Sequence, residues 1–110
     1  MDITQREEKG VVVFSLNGRI DNDGATKMEQ TLQSASEAGK SKMVLDLSTV
    51  QYINSAGLRV LAEFLTINRE KGGELYLSAV NSRVKRVFQI VGFDNFFKMF
   101  DSTVDAGNAF

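Results

Sequence analysis

Residues Met43 to Leu65 read MVLDLSTVQYINSAGLRVLAEFL, and this stretch decides the fold that the sequence predicts. Apolar residues occupy nearly every position from Met43 to Leu47, as in a strand that is covered on both faces. After the polar turn INSAGL, apolar residues recur at helical spacing around much of the helix; they are Leu58, Val60, Leu61, Ala62, Phe64, Leu65 and Ile67. A helix this apolar is expected to be largely buried, so Ser55 brings a hydroxyl to the surface beside the core.

The composition is typical of one globular domain. Of the 110 residues, 43% are hydrophobic and 25% are charged, which is ordinary for soluble proteins. A chain of this length can bury about two-thirds of its unfolded surface. We therefore expect a single domain over residues 1–110, with a core that needs no disulfides.

Charge and hydropathy narrow the class of partner. Thirteen basic and fourteen acidic residues give a formal net charge of −1, and no basic run stands out. Nucleic acid or an anionic membrane as the main partner is therefore disfavoured. No apolar run reaches transmembrane length, the first residues MDITQREEKG do not resemble a signal peptide, and the chain has no cysteine. Together these features predict a cytoplasmic protein.

The chain also has no histidine, which limits the chemistry further. Without His or Cys there is no Ser-His or Cys-His triad and no zinc site of the usual ligands. We therefore expect a protein that is not an enzyme, with no catalytic residues, no metal site and no cofactor.

The N-terminal third predicts a β-hairpin followed by a helix. Ile3–Lys9 and Val11–Leu16 read as two strands, the second closed by Asn17-Gly18. The run Asn22-Asp23-Gly24 offers caps for a helix over Ala25–Ala38.

The middle of the chain predicts a strand, a helix and another strand. Met43–Leu47 is the central strand and Ser48–Ile53 the loop after it. The long helix covers about Ala56–Lys71 and stops at Gly72-Gly73. Alternation over Leu75–Ala79 indicates the next strand.

The last third predicts two helices and a short strand. Asn81-Ser82 caps a helix that Gly92 ends, and Phe96–Phe100 reads as a short strand. Ser102-Thr103-Val104-Asp105 has capping-box spacing and opens a terminal helix. The order predicts an α/β fold: a four- to five-stranded mixed, mostly parallel sheet with an N-terminal β-hairpin and about four helices.

This element order, and above all the run VLDLSTVQYINSAGLRVLAEFL at residues 44–65, resembles the STAS domain of bacterial anti-sigma factor antagonists. The resemblance extends from the strand at Val11 to the helix that ends near Ala109. The family's signature is Asp-Ser-Ser/Thr-Gly-Leu or Asp-Ser-Ala-Gly-Leu between a strand and the second helix. Here the same place reads Asn-Ser-Ala-Gly-Leu, with Asn54 where an aspartate is usual and Ala56 where many members have a second hydroxyl.

The resemblance implies a phosphorylation-controlled partner switch. Ser55 is the one hydroxyl of the motif, and a serine there is phosphorylated in the family by a partner that is both serine kinase and anti-sigma factor. The unmodified protein would bind that kinase and free the sigma factor, phosphorylation would release it, and a PP2C-type phosphatase would reset it. The expected partner-binding residues are Asn54, Ser55, Ala56, Gly57, Leu58 and Arg59.

Three other interpretations remain open from the residues. Ser55, or Asn54, can simply be the N-cap of the long helix. The same fold can serve another client, such as a lipid-transport ATPase for which it is an accessory STAS subunit. A phospho-receiver would use Asp21, Asp23 and Asp46, but Asp46 lies inside its predicted strand, and helix capping is the simpler role for the turn Asp21–Asp23.

Overall fold

The computed structural model describes residues 1–110. Its five strands form one sheet in the order β1-β2-β3-β4-β5, and they are β1 Asp2–Glu8, β2 Val11–Ile20, β3 Lys42–Ile53, β4 Glu74–Ser78 and β5 Met99–Phe100. The four helices are α1 Asn22–Glu37, α2 Ser55–Glu70, α3 Ser82–Ile90 and α4 Thr103–Asn108. The β1–β2 pair is antiparallel and all other pairs are parallel. This confirms the predicted mixed sheet, its hairpin and its four helices.

The predicted loop Ser48–Ile53 is wrong, because β3 continues through it to Ile53. Val50 and Ile53 are buried, and the segment pairs in parallel with the end of β2. Two register shifts interrupt that pairing, and a bulge breaks the alternation of polar and apolar residues. The polar residues of this segment therefore do not alternate regularly with the apolar ones, and the sequence pattern indicates a loop instead of a strand.

The predicted end of the second strand at Asn17-Gly18 is also wrong, because the register shifts interrupt the strand pattern there without ending the strand. β2 continues to Ile20, and Gly18 lies inside it with a φ of 120°. Glycine adopts this backbone conformation readily, whereas a side chain there is strained. The Asn-Gly pair marks an irregularity within the strand rather than a turn.

The predicted last strand, Phe96–Phe100, is shorter than expected and comprises only Met99–Phe100. Residues 93–97 instead form turns, in which the Phe96 and Phe97 N–H groups donate to the Phe93 carbonyl. The other predicted bounds agree within two residues, except that α1 begins at Asn22, three residues earlier than predicted, because Asp21 is its N-cap.

The two faces of the sheet are covered unequally. Side chains of α1, α2 and α3 share the main core with the strand residues Phe14, Leu45 and Leu77. The opposite face holds a small cluster of Val11, Val13 and Val44 with Ala106 from α4. None of these helices combines the length and hydropathy that a membrane span requires.

Candidate functional site

Two helices begin side by side at the carboxyl ends of two neighbouring strands of the sheet. β2 and β3 end at the paired residues Ile20 and Ile53, and α1 and α2 start within two residues of those ends. The Asn54 N–H donates to the Ile20 carbonyl at 3.0 Å, which ties the start of α2 to the end of β2. The parallel pairing therefore places two helix N-termini, each with the positive end of its dipole, next to each other.

Side chains of the first helix residues and their caps join these N-termini. The Asp21 carboxylate accepts the Gly24 N–H at 2.9 Å, and the Asn54 side-chain oxygen accepts the Gly57 N–H at 3.1 Å. The Asn54 amide nitrogen also donates to the Asn22 side-chain oxygen at 2.9 Å. Asn54 thus caps α2 and bridges to α1 at the same time.

Ser55 is the first residue of α2 and is exposed to solvent. Of the two cap candidates, Ser55 and Asn54, the structure assigns the role to Asn54. The Ser55 hydroxyl makes no hydrogen bond within the protein, unlike the Thr26, Thr31 and Thr66 hydroxyls, which donate to backbone carbonyls one turn earlier. The hydroxyl at the head of α2 is therefore free to react or to contact another molecule.

Gly57 and Leu58 lie below this surface. Both are buried, and a Cβ on Gly57 would meet Ile20 Cγ2 at 2.5 Å and Ile53 Cγ1 at 2.9 Å. The glycine therefore allows the first turn of α2 to pack directly on the ends of β2 and β3. Within the motif, Ser55 and Arg59 are exposed, and Asn54 and Ala56 are half-buried.

Arg59 follows Ser55 by one helical turn, so both side chains lie on the same side of α2. Arg59 takes part in none of the three ion pairs of the protein. It lines a shallow groove between α1 and α2, whose other lining residues are Asn22, Ala25, Thr26, Glu29, Ala56 and Val60. A free guanidinium thus stands within a turn of the free hydroxyl.

The acidic residues of the receiver interpretation do not converge. Asp21 caps α1, whereas Asp46 lies in the middle of β3, where its carboxylate accepts the Ser48 N–H at 2.9 Å. No group of three or more Asp or Glu side chains is placed to hold a metal ion. Helix capping, the simpler interpretation of the acidic turn, is confirmed for Asp21.

Two features of the site were missed by the sequence analysis. One is Asn22, whose role as acceptor for Asn54 depends on the two helices lying side by side. The other is the stacking of the Arg19 guanidinium over the Tyr52 ring at 4.2 Å, next to the helix starts. Arg19 and Tyr52 lie opposite each other in the pairing of β2 with β3. Their contact could have been predicted only if β3 had been extended to Ile53, and the sequence analysis instead assigned Ser48–Ile53 to a loop.

Comparison with known proteins identifies the family of this chain. The family model of the STAS domain matches residues 2–106. BtrV of Bordetella bronchiseptica, named as a candidate anti-sigma factor antagonist, is 34% identical over 110 residues that cover 100% of this chain and 95% of BtrV. Further relatives from Mycobacterium tuberculosis and Staphylococcus aureus are named as antagonists of anti-sigma-F and anti-sigma-B factors.

Solved structures show the same fold. An anti-sigma factor antagonist from Mycobacterium paratuberculosis is 27% identical, has a TM-score of 0.88 and covers 98% of this chain and 92% of its own. SpoIIAA of Bacillus in its phosphorylated form covers 98% of both chains with a TM-score of 0.77, and at 15% identity it is alike in fold alone. With its family match over nearly the whole length, this chain belongs to the STAS domain family.

Proposed function

We propose that this protein is an anti-sigma factor antagonist that works as a partner switch through Ser55. The unmodified protein binds an anti-sigma factor that is also a serine kinase, and the sigma factor is thereby freed. The kinase phosphorylates Ser55 and then dissociates, and a PP2C-type phosphatase restores the unmodified form. Family membership and the names of the relatives support this role.

The main observation behind this function is that Asn54, and not Ser55, caps α2. Because Asn54 satisfies the N–H group of Gly57, the Ser55 hydroxyl is not needed to cap α2. It is exposed and has no partner within the protein. A kinase can therefore modify it without disturbing the helix start.

A phosphate on Ser55 fits the protein that carries it. It adds a charge of about −1.5 to −2 at neutral pH, and the N-terminus of α2 favours negative charge. Arg59, one turn later and without an ion-pair partner, is within reach of a phosphate on Ser55. The modified protein is therefore expected to stay folded, as the phosphorylated form of the fold neighbour SpoIIAA does.

The partner is affected differently. A surface that packs on the neutral hydroxyl has to desolvate a dianion once Ser55 is modified. An ion pair between the phosphate and Arg59 also withdraws the guanidinium from the partner. We assign direct contact to Ser55 and Arg59 with the exposed parts of Asn54 and Ala56, whereas Gly57 and Leu58 act by holding the helix start in place.

The experiment that tests this role combines mapping of the phosphate with titration. The protein is incubated with ATP and its cognate anti-sigma kinase, its intact mass is measured, and the kinase is titrated calorimetrically with each form. We expect one phosphate on Ser55, binding by wild type and Ser55→Ala, and weakened binding by Ser55→Asp and by the phosphorylated protein. Equal affinity of phosphorylated and unmodified protein would contradict the switch.

Ser82 provides a matched control within the same chain. It is also exposed and is also the first residue of a helix, and its neighbour Asn81 is also the N-cap, accepting the Val84 N–H at 2.9 Å. It has an arginine, Arg86, one turn later as well. Ser82→Ala should leave phosphorylation and partner binding unchanged, and a phosphate mapped to Ser82 would refute the assignment to Ser55.

A further inference from the structure

Exposed apolar side chains concentrate at the end of α3 and in the turn that follows. Six large hydrophobic residues of the protein are exposed, and three of them lie within seven positions: Ile90, Val91 and Phe96. Ile90 is 73% exposed, the highest value of the six. Single exposed apolar residues are normal, but several in one short segment indicate a binding surface.

Backbone hydrogen bonds and ring packing hold the segment that carries these side chains. At the end of α3 the Phe93 N–H donates to the Phe88 carbonyl at 2.8 Å, and the Gly92 N–H donates to the Gln89 carbonyl at 3.1 Å, which is the Schellman arrangement. Below it, the buried Phe97 ring meets the Phe88 ring edge to face at 5.5 Å. A surface already ordered before binding loses little conformational entropy when a partner arrives.

The same segment is basic in an otherwise acidic protein. Residues 82–98 contain four basic side chains and one acidic side chain, so their formal charge is +3, and the rest of the chain carries −4. Arg83, Lys85 and Arg86 are exposed on α3 and belong to none of the ion pairs. Arg83 and Arg86 have helical spacing with Ile90, so these three side chains form one stripe along α3.

We propose that this α3 surface binds an acidic segment of a partner protein. The surface is made of Arg83, Arg86, Ile90, Val91 and Phe96. In the partner segment, apolar side chains alternate with the acidic ones, so that they contact the apolar residues of the surface while the acidic groups pair with its arginines. Complementary charge supports this occupant over a second copy of the chain, because a twofold contact would bring two surfaces of charge +3 together. The charge distribution also favours a short acidic segment over an anionic membrane. The extended negative charge of a membrane would repel the rest of the chain, which carries a formal charge of −4.

The apolar part of this surface lies far from Ser55. The Arg69 guanidinium is 5.8 Å from the centre of the Phe96 ring, so Phe96 lies beside the last turn of α2. Ser55 is at the first turn of α2, about 21 Å from Arg69 along the helix at 1.5 Å per residue. Charges on a surface are largely screened beyond about 8 Å at physiological salt. The apolar contacts of the α3 surface should therefore form whether or not Ser55 is phosphorylated.

Synthetic peptides provide the probe. One peptide carries Leu and Phe interspersed among Asp and Glu, and its counterpart has Lys in place of every acidic residue. Binding to the labelled protein is followed by amide chemical shifts and by calorimetry. We expect the acidic peptide alone to bind, with shift changes confined to residues 83–98 and the adjacent end of α2.

The variants have a matched control on α4. Ile90→Ser and Phe96→Ser should weaken binding of the acidic peptide at least about tenfold, with the fold checked by circular dichroism. Val104→Ser should leave the affinity unchanged, because Val104 is 70% exposed and so matches Ile90 but lies outside the α3 surface. Ser55→Asp should bind the peptide as wild type does.

Several results would overturn this proposal. They are no binding of the acidic peptide, equal binding of its basic counterpart, or full binding by Ile90→Ser. Loss of a dimer in sedimentation experiments on Ile90→Ser would assign the surface to a second copy instead. Binding only to phosphatidylglycerol vesicles would assign it to a membrane. Weakened binding by Ser55→Asp would refute its independence of the switch, whereas a failure to find phosphate on Ser55 would affect only the proposed function.

Discussion

Asn22 and Asn54 are joined by a side-chain hydrogen bond of 2.9 Å that links the N-termini of α1 and α2. The amide of Asn54 donates, and its oxygen remains available for the Gly57 N–H. Asn54 therefore caps α2 and bridges to α1 through a single side chain.

The first prediction separates the cap from the free hydroxyl. Asn54→Ala should lower the free energy of unfolding by about 1 kcal/mol, because an N-cap is lost. Ser55→Ala should change it by less than about 0.5 kcal/mol, since this exposed hydroxyl has no partner. Urea denaturation of both variants measures the difference. A larger loss in Ser55→Ala than in Asn54→Ala would mean that Ser55 caps α2.

The second prediction concerns the close approach of α2 to the strand ends. Gly57→Ala should cost about 1–3 kcal/mol, because its Cβ would overlap Ile20 and Ile53. Gly107→Ala is the control: it is also in a helix, but a Cβ there meets nothing within 4 Å. That variant should be neutral or stabilised by up to about 1 kcal/mol through helix propensity. Thermal unfolding of the two proteins should therefore shift in opposite directions or by clearly different amounts.

The third prediction concerns the buried face of α2. Leu61 and Leu65 are 0% and 1% exposed in the main core, so truncating either to Ala should cost about 2–5 kcal/mol. Glu63→Ala, an exposed change on the same helix, should stay within about 0.5 kcal/mol of wild type. Unchanged denaturation midpoints for both leucine variants would contradict the packing of α2 described above.

The fourth prediction tests the pair between phosphoserine and Arg59. Phosphoserine incorporated at position 55 should raise the free energy of unfolding by about 0.3–1 kcal/mol through the helix dipole alone, with a further gain from the guanidinium. In Arg59→Gln the increment should fall, and high salt should reduce it in both proteins. An increment that is identical with and without Arg59 would show that the two groups do not interact.

The fifth prediction concerns catalysis. The purified protein should not turn over ATP or GTP on its own, because the chain lacks His and Cys and its acidic side chains do not converge. Release of phosphate from each nucleotide is the measurement, and Asp46→Asn is the diagnostic variant. Steady turnover that this substitution removes would contradict the interpretation as a binding module.

Much of the architecture could be predicted from local pattern. The buried strand at Met43–Leu47, the apolar helix after it and the Asn81 cap of α3 are all confirmed, because each depends on residues close in sequence. The ends of β2 and β3 could not be predicted in this way. Polar residues and Gly18 interrupt the apolar pattern there, and two register shifts break the alternation although the two segments pair in parallel.

The candidate site divides along the same line. The sequence by itself placed Ser55 at the head of a buried helix, since the change from strand to helix spacing is a local signal. It left open whether Ser55 or Asn54 caps that helix, and it gave no indication of the bond between Asn54 and Asn22. The bond between Asn54 and Asn22 joins residues 32 positions apart. Only the parallel alignment of β2 with β3 brings the two helix starts together, and the Ser55 hydroxyl is free because Asn54 caps α2.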